Sequence, residues 1–97
     1  MDRTDRPNKT DRHMTKDLGA ELLLYDTAGD QIHVLNGTAR EICLRCDGSH
    51  SVEDLVQAVV SGFEVEESTA RNDVEETLDR LTQLGAITLN PSQPQPV

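Results

Sequence analysis

Polar and apolar positions sort this chain into a strand pair followed by helices. Residues 20–25 (Ala-Glu-Leu-Leu-Leu-Tyr) form a short apolar run between Gly19 and the turn cluster at 26–30, the signature of a β-strand. Residues 31–35 return as a second strand, with Ile32 and Val34 on one face and His33 and Leu35 on the other. Two such runs joined by a short Gly-containing loop predict a hairpin. A hairpin alone is barely stable in water, so a further strand or helices must pack on it.

At Asn36-Gly37-Thr38 the period changes from strand to helix. Either Asn36 or Thr38 can cap the helix, and Thr38 has Glu41 three residues on, as in a capping box. Ala39, Ile42, Cys43 and Cys46 then share one face, and Asp47-Gly48 supplies the stop. Ser51 opens a second helix, with Asp54 in its positive first turn and Leu55, Val56, Val59 and Val60 as its stripe, ending near Gly62-Phe63. After an acidic connector at 64–67, Ser68 starts a third helix. Its stripe is Ala70, Val74, Leu78, Leu81 and Leu84, Glu76 and Arg80 stand in the favourable i,i+4 order, and Gly85 ends it. Residues 86–89 read as a short final strand or extended piece.

Residues 1–17 hold almost nothing that can be buried and read as a disordered amino-terminal arm, with at most a short strand at 13–15. Residues 90–97, with three prolines, read as a flexible tail. The body at 18–89 runs strand, strand, helix, helix, helix, short strand. That order predicts an α+β fold, a winged helix-turn-helix in which a small antiparallel β-sheet (a hairpin plus a possible third strand) is followed by three α-helices.

Composition narrows the function. In 97 residues there are one Phe, one Tyr and no Trp, so the core must be built from Leu, Val, Ile and Ala. A domain this small buries only about 60% of its chain's surface, which leaves no room for a large internal cavity and argues against a buried small-molecule active site. Net charge is −9. Residues 1–17 carry five basic and four acidic groups, so the remainder holds fourteen acids against four arginines. Such a body repels phosphate backbones and anionic membranes and suits a partner of positive charge, though the acidic run at 64–67 with Asp73, Glu75, Glu76 and Asp79 also serves as a solvated surface.

No apolar run is long enough for a membrane span or a signal peptide's hydrophobic region, so the expectation is a cytoplasmic protein with free thiols. Cys43 and Cys46 form a Cys-x-x-Cys, but a tetrahedral zinc site needs four ligands and His50 is the only histidine nearby. Both lie on the helix face assigned to the core, where Cys acts as a small hydrophobe. Neither a metal nor another cofactor is expected. No nucleophile–base pair, phosphate loop or catalytic constellation is legible, so the chain reads as a binding module and not an enzyme.

Several of these residues, taken in order, resemble a known family. Leu35-Asn36-Gly37-Thr38-Ala39 is similar to the LN-x-T-A strand-to-helix junction of PqqD-like proteins, and Cys46-Asp47-Gly48 to their C-D-G helix end. Ser51-Val52 with Leu55 resembles the start of their second helix. Asp73-Val74, Leu78, Leu81 and Leu84-Gly85-Ala86-Ile87 resemble their third helix and closing segment, so the likeness spans residues 18–89.

The resemblance implies a recognition element that binds the leader of a ribosomally made precursor peptide and presents it to a modifying enzyme, often a radical S-adenosylmethionine enzyme. In that family the leader adds as an extra strand beside the sheet, in the cleft facing the third helix. Carried over, the strand is Ile32, His33, Val34 and Leu35, and the cleft wall is Asp73, Val74, Thr77, Leu78 and Leu81. Val74, Leu78 and Leu81 are expected to floor a groove for apolar leader residues, and Arg71 and Arg80 to meet acidic ones. Strand addition fits the physics: main-chain pairing gives affinity and alternate side-chain pockets give specificity. The rival readings are a winged-helix DNA-binding regulator, disfavoured by the acids of residues 68–84, and an interaction domain that docks through its arm.

Overall fold

Leu22, Leu24 and Leu35 bury one face of a three-stranded antiparallel sheet in the computed structural model, which describes residues 4–10 and 12–90. The strands are β2 (His13–Asp17), β3 (Glu21–Asp26) and β4 (Gln31–Asn36), in that spatial order; β1 (Arg6–Lys9) pairs elsewhere. Leu22 stands opposite Leu35 and Leu24 opposite His33 on the inner face, while Leu23 faces Val34 and Tyr25 faces Ile32 on the outer one. Three helices follow: α1 (Gly37–Leu44), α2 (Val52–Phe63) and α3 (Glu67–Gln83). The chain closes with β5 (Ile87–Asn90), antiparallel to β1 in a separate two-stranded sheet. This is an α+β fold in which a small antiparallel sheet precedes three helices.

One core joins these layers: Ile42 and Cys43 of α1, Cys46 just beyond it, Leu55, Val56 and Val59 of α2, Val74, Leu78 and Leu81 of α3, and Ile87 of β5 pack on the inner leucines. The helix boundaries follow local chemistry. Ser51 caps α2 through a capping box, its hydroxyl accepting from the Asp54 amide at 3.1 Å and the Asp54 carboxylate accepting from the Ser51 amide at 3.0 Å. Beyond α3, Gly85 takes φ +76°, and the Ala86 amide reaches back to the Leu81 carbonyl at 2.9 Å. The Glu76–Arg80 pairing expected along α3 does not form among the described ion pairs; Arg71 instead bridges Glu67 and Glu53 at 3.0 and 2.8 Å.

The amino-terminal segment departs from the arm expected of residues 1–17. Pro7 is buried, and β1 and β2 hold residues 6–9 and 13–17 in strands. Backbone bonds tie it down: Lys9 amide to Cys46 carbonyl at 3.0 Å, Gly48 amide to Pro7 carbonyl at 2.9 Å, Thr10 amide to Ala86 carbonyl at 2.9 Å. The Asp17 carboxylate takes a paired contact from Arg40 of α1 at 3.0 and 2.8 Å. Polar side chains left no apolar signal because the segment is held mainly through its main chain, whose pairing is almost blind to side-chain identity. Residues 91–97 of the expected tail lie outside the described residues.

Candidate functional site

β4 is hydrogen-bonded to β3 on one side only, and no described strand pairs with its other edge. A strand edge of this kind presents a row of amides and carbonyls ready to pair with a second chain. At its carboxyl end the backbone turns through Gly37, at φ +53°, straight into α1. Beside that turn, α1 and α3 enclose an open groove of about 360 Å³, lined by Gly37, Thr38, Ala39, Asp73, Glu76, Thr77 and Arg80.

The α3 residues of the groove recur at steps of three, one and three and so form one shoulder of the helix. Asp73, Glu76 and Arg80 make no ion pair among the described residues, so the wall offers two carboxylates and a guanidinium without mutual neutralisation. A wall of this kind favours charge complementarity over apolar bulk.

The sequence-derived site residues divide between groove, edge and core. Asp73 and Thr77 line the groove. Ile32 and Val34 lie on β4 with side chains 62% and 47% exposed on the outer sheet face. His33 is half-buried on the inner face, its ring 6.1 Å from that of His13 between centroids. Leu35 is buried in the core.

Two expectations need correction. Val74, Leu78 and Leu81 do not floor the groove; all three are fully buried, because the stripe that would have faced a peptide is taken up by the core that α3 shares with α1, α2 and β5. Arg71 sits away from the groove, engaged with Glu53 and Glu67. Glu76 and the Gly37–Ala39 turn are lining residues that sequence reasoning missed. The i+3 offsets from Asp73 and Thr77 carry the signal for Glu76 and Arg80, whereas the turn is brought to α3 only by folding.

Cys43 and Cys46 take core positions. The Cys46 thiol donates to the Ile42 carbonyl at 3.2 Å, and burial pushes it up to about 12. No group of three or more His, Cys, Asp or Glu side chains among the described residues is arranged to hold a metal ion, and no described helix is long and apolar enough to cross a membrane. Along α3, the helix that a DNA-binding reading would insert into a groove, Glu67, Glu76 and Asp79 are exposed. That surface opposes phosphate.

Comparison with known proteins places this geometry. The family described as coenzyme PQQ synthesis protein D (PqqD) matches residues 21–87. Among solved structures, TbiB1 in complex with the TbiA(beta) leader peptide superposes with a TM-score of 0.76 at 16% identity, over 82% of this chain and 93% of that one. Lasso peptide synthetase B1 complexed with the leader peptide gives a TM-score of 0.76 at 24% identity, over 86% of this chain and 98% of that one. At these identities the likeness is one of fold. No curated protein sequence matches.

Proposed function

We propose that this chain, which belongs to the PqqD family, binds the leader segment of a ribosomally synthesised precursor peptide and presents it to a modifying enzyme. The leader adds as a strand to the open edge of β4, with Ile32, His33, Val34 and Leu35 supplying the main-chain partners. Alternate leader side chains then face α3, where Asp73, Thr77, Glu76 and Arg80 read them. The observation that carries this reading is the unpaired β4 edge running into a charged groove, in a fold shared with two proteins solved with leader peptides.

The magnitudes are adequate. A main-chain hydrogen bond contributes about 0.5–1.5 kcal/mol net, and roughly five of them with one or two charge pairings approach the 8 kcal/mol or so of micromolar binding. The chain itself acts as a non-catalytic adaptor: its role is to raise the local concentration of precursor at the enzyme. A radical S-adenosylmethionine enzyme in the cytoplasm is the partner this family suggests.

The test is an NMR titration of the chain with synthetic leaders of the short precursor peptides encoded beside its gene. Amides of β4, of residues 37–39 and of residues 73–80 should shift and saturate together. Spectra unchanged by every encoded candidate overturn the reading. A steeply salt-dependent association with duplex DNA would do so in favour of the regulator.

A further inference from the structure

Antiparallel sheets with one solvated face normally alternate apolar-in and polar-out, and this one does not. The cross-strand register aligns Met14, Tyr25 and Ile32 in one row and Lys16, Leu23 and Val34 in the next, all pointing away from the helices. Met14 is 65% exposed, Ile32 62%, Val34 47% and Tyr25 37%, so most of the large exposed apolar side chains of the described residues are gathered on this one face. A shallow depression of about 420 Å³ runs among β2, β3 and Ile32 of β4. A contiguous apolar surface of this kind marks an interaction site.

We propose that the outer face of the β2–β3–β4 sheet docks the leader-modifying enzyme, and that the bound leader completes the docking surface. This rests on the leader reading above. A strand added to β4 places every second side chain on the outer face, beside Ile32 and Val34, because side chains alternate across a pleated sheet. The enzyme thus meets a continuous four-stranded surface when the peptide is present and a narrower one when it is absent. Recognition of carrier and cargo becomes a single event.

A second copy of the chain is the poorer occupant. Three strands about 4.8 Å apart and about 20 Å long make a narrow face, so a stable partner must add contacts beyond it, as an enzyme that also holds the leader does. Each copy also carries a net charge of −9, with exposed Glu21 at the start of β3 and exposed Asp30 in the turn before β4. The fitting partner is a protein with an apolar patch rimmed by Lys or Arg that also grips the leader as it leaves the sheet.

The experiment uses the full chain, the purified enzyme encoded beside it and the fluorescently labelled leader of the neighbouring precursor. Met14→Lys and Tyr25→Ser change the outer face on the strands remote from the open edge, and thermal melts check that each still folds. Leader affinity by anisotropy should stay within twofold of the unsubstituted chain, while affinity for the enzyme should fall at least tenfold and should rise when leader is present. Enzyme affinity unchanged in both variants overturns the proposal. So does a dimer of the unsubstituted chain, seen by sedimentation, that Met14→Lys dissociates. If the unsubstituted chain takes no leader, the leader reading fails and the completion by peptide fails with it, whereas a tenfold enzyme loss in Met14→Lys would still establish the docking face.

Discussion

Arg12 grips Asp26 with two bonds, Nε to Oδ1 at 3.2 Å and Nη2 to Oδ2 at 3.1 Å, and so fastens the segment before β2 to the hairpin turn after β3. The carboxylate is almost completely buried, and its Oδ1 also accepts from the Ala28 and Gly29 amides at 2.9 and 3.1 Å. The Arg12 hydrogen bonds, helped by those amides, hold Asp26 well below the usual carboxylate range. Asp47 is lowered in the same way, first by the Ser49 hydroxyl and then by the Ser49 amide.

These depressed carboxylates set an acid limit. A group whose folded value lies below its unfolded one contributes stability above the unfolded value, about 3.9 for Asp, and loses it as pH falls towards the folded value. Stability from these two groups should therefore be level above about pH 5 and decline steadily below about pH 4. Urea unfolding across that range checks the decline, and Asp26→Asn should be less stable at neutral pH with a shallower acid limb.

Deletion of residues up to Thr10 removes β1 and leaves the pairing edge of β5 open. It also breaks the Thr10 hydroxyl's bond to the Gly85 carbonyl at 2.6 Å and uncovers Ile87, which is 2% exposed. The loss should be at least about 2 kcal/mol from one apolar side chain and several hydrogen bonds, measured by urea denaturation. A truncated chain as stable as the full one would show these pairings to be incidental.

Gly62 lies in the last turn of α2 and is not among the positive-φ glycines, and a Cβ built there meets nothing within 4 Å. Gly62→Ala should stabilise the chain by about 0.5–1 kcal/mol, since alanine is the better helix former and restricts the unfolded chain. The midpoint of urea unfolding reads this directly, with an unchanged slope.

Thr77 and Leu78 are neighbours on α3 with opposite duties. Leu78 is fully buried, so Leu78→Ala should cost about 2–5 kcal/mol of stability. Thr77 lines the groove, so Thr77→Arg should fill it and weaken leader binding at least about tenfold, or 1.4 kcal/mol, with little change in unfolding midpoint. Anisotropy and urea titrations on both variants separate the two effects.

Cys43 and Cys46 should resist alkylation in the folded protein. Both are buried, and burial raises both thiols, Cys46 to about 12, so almost no thiolate exists at neutral pH. Labelling by iodoacetamide at pH 7.5 should track the unfolded population and accelerate sharply across the urea transition. Fast labelling in native buffer would place the thiols outside the core.

The helices and the β3–β4 hairpin were legible in the chain alone because their signals are local. Ser51 with Asp54, the Val74–Leu78–Leu81 stripe and the turn at 26–30 each act over a few residues, and the ordered motifs from Leu35 to Ile87 carried the family. Tertiary structure alone decided three things. Residues 6–9 became a strand because β5, far along the chain, satisfies their backbone groups, a demand that side-chain composition does not record, and the strand allowed at 13–15 extends to 17 against β3. The alternation of β4 separates Ile32 and Val34 from His33 and Leu35, but a period of two is the same whichever face meets the core; packing chose Leu35. Finally, the core shared with α1, α2 and β5 took Ala70, Val74, Leu78 and Leu81 of α3, leaving the adjacent shoulder with Asp73, Thr77 and Arg80 as the groove wall. Sequence periodicity says which residues share a helix face, and only the placement of the neighbouring elements says where the core ends and the open surface begins.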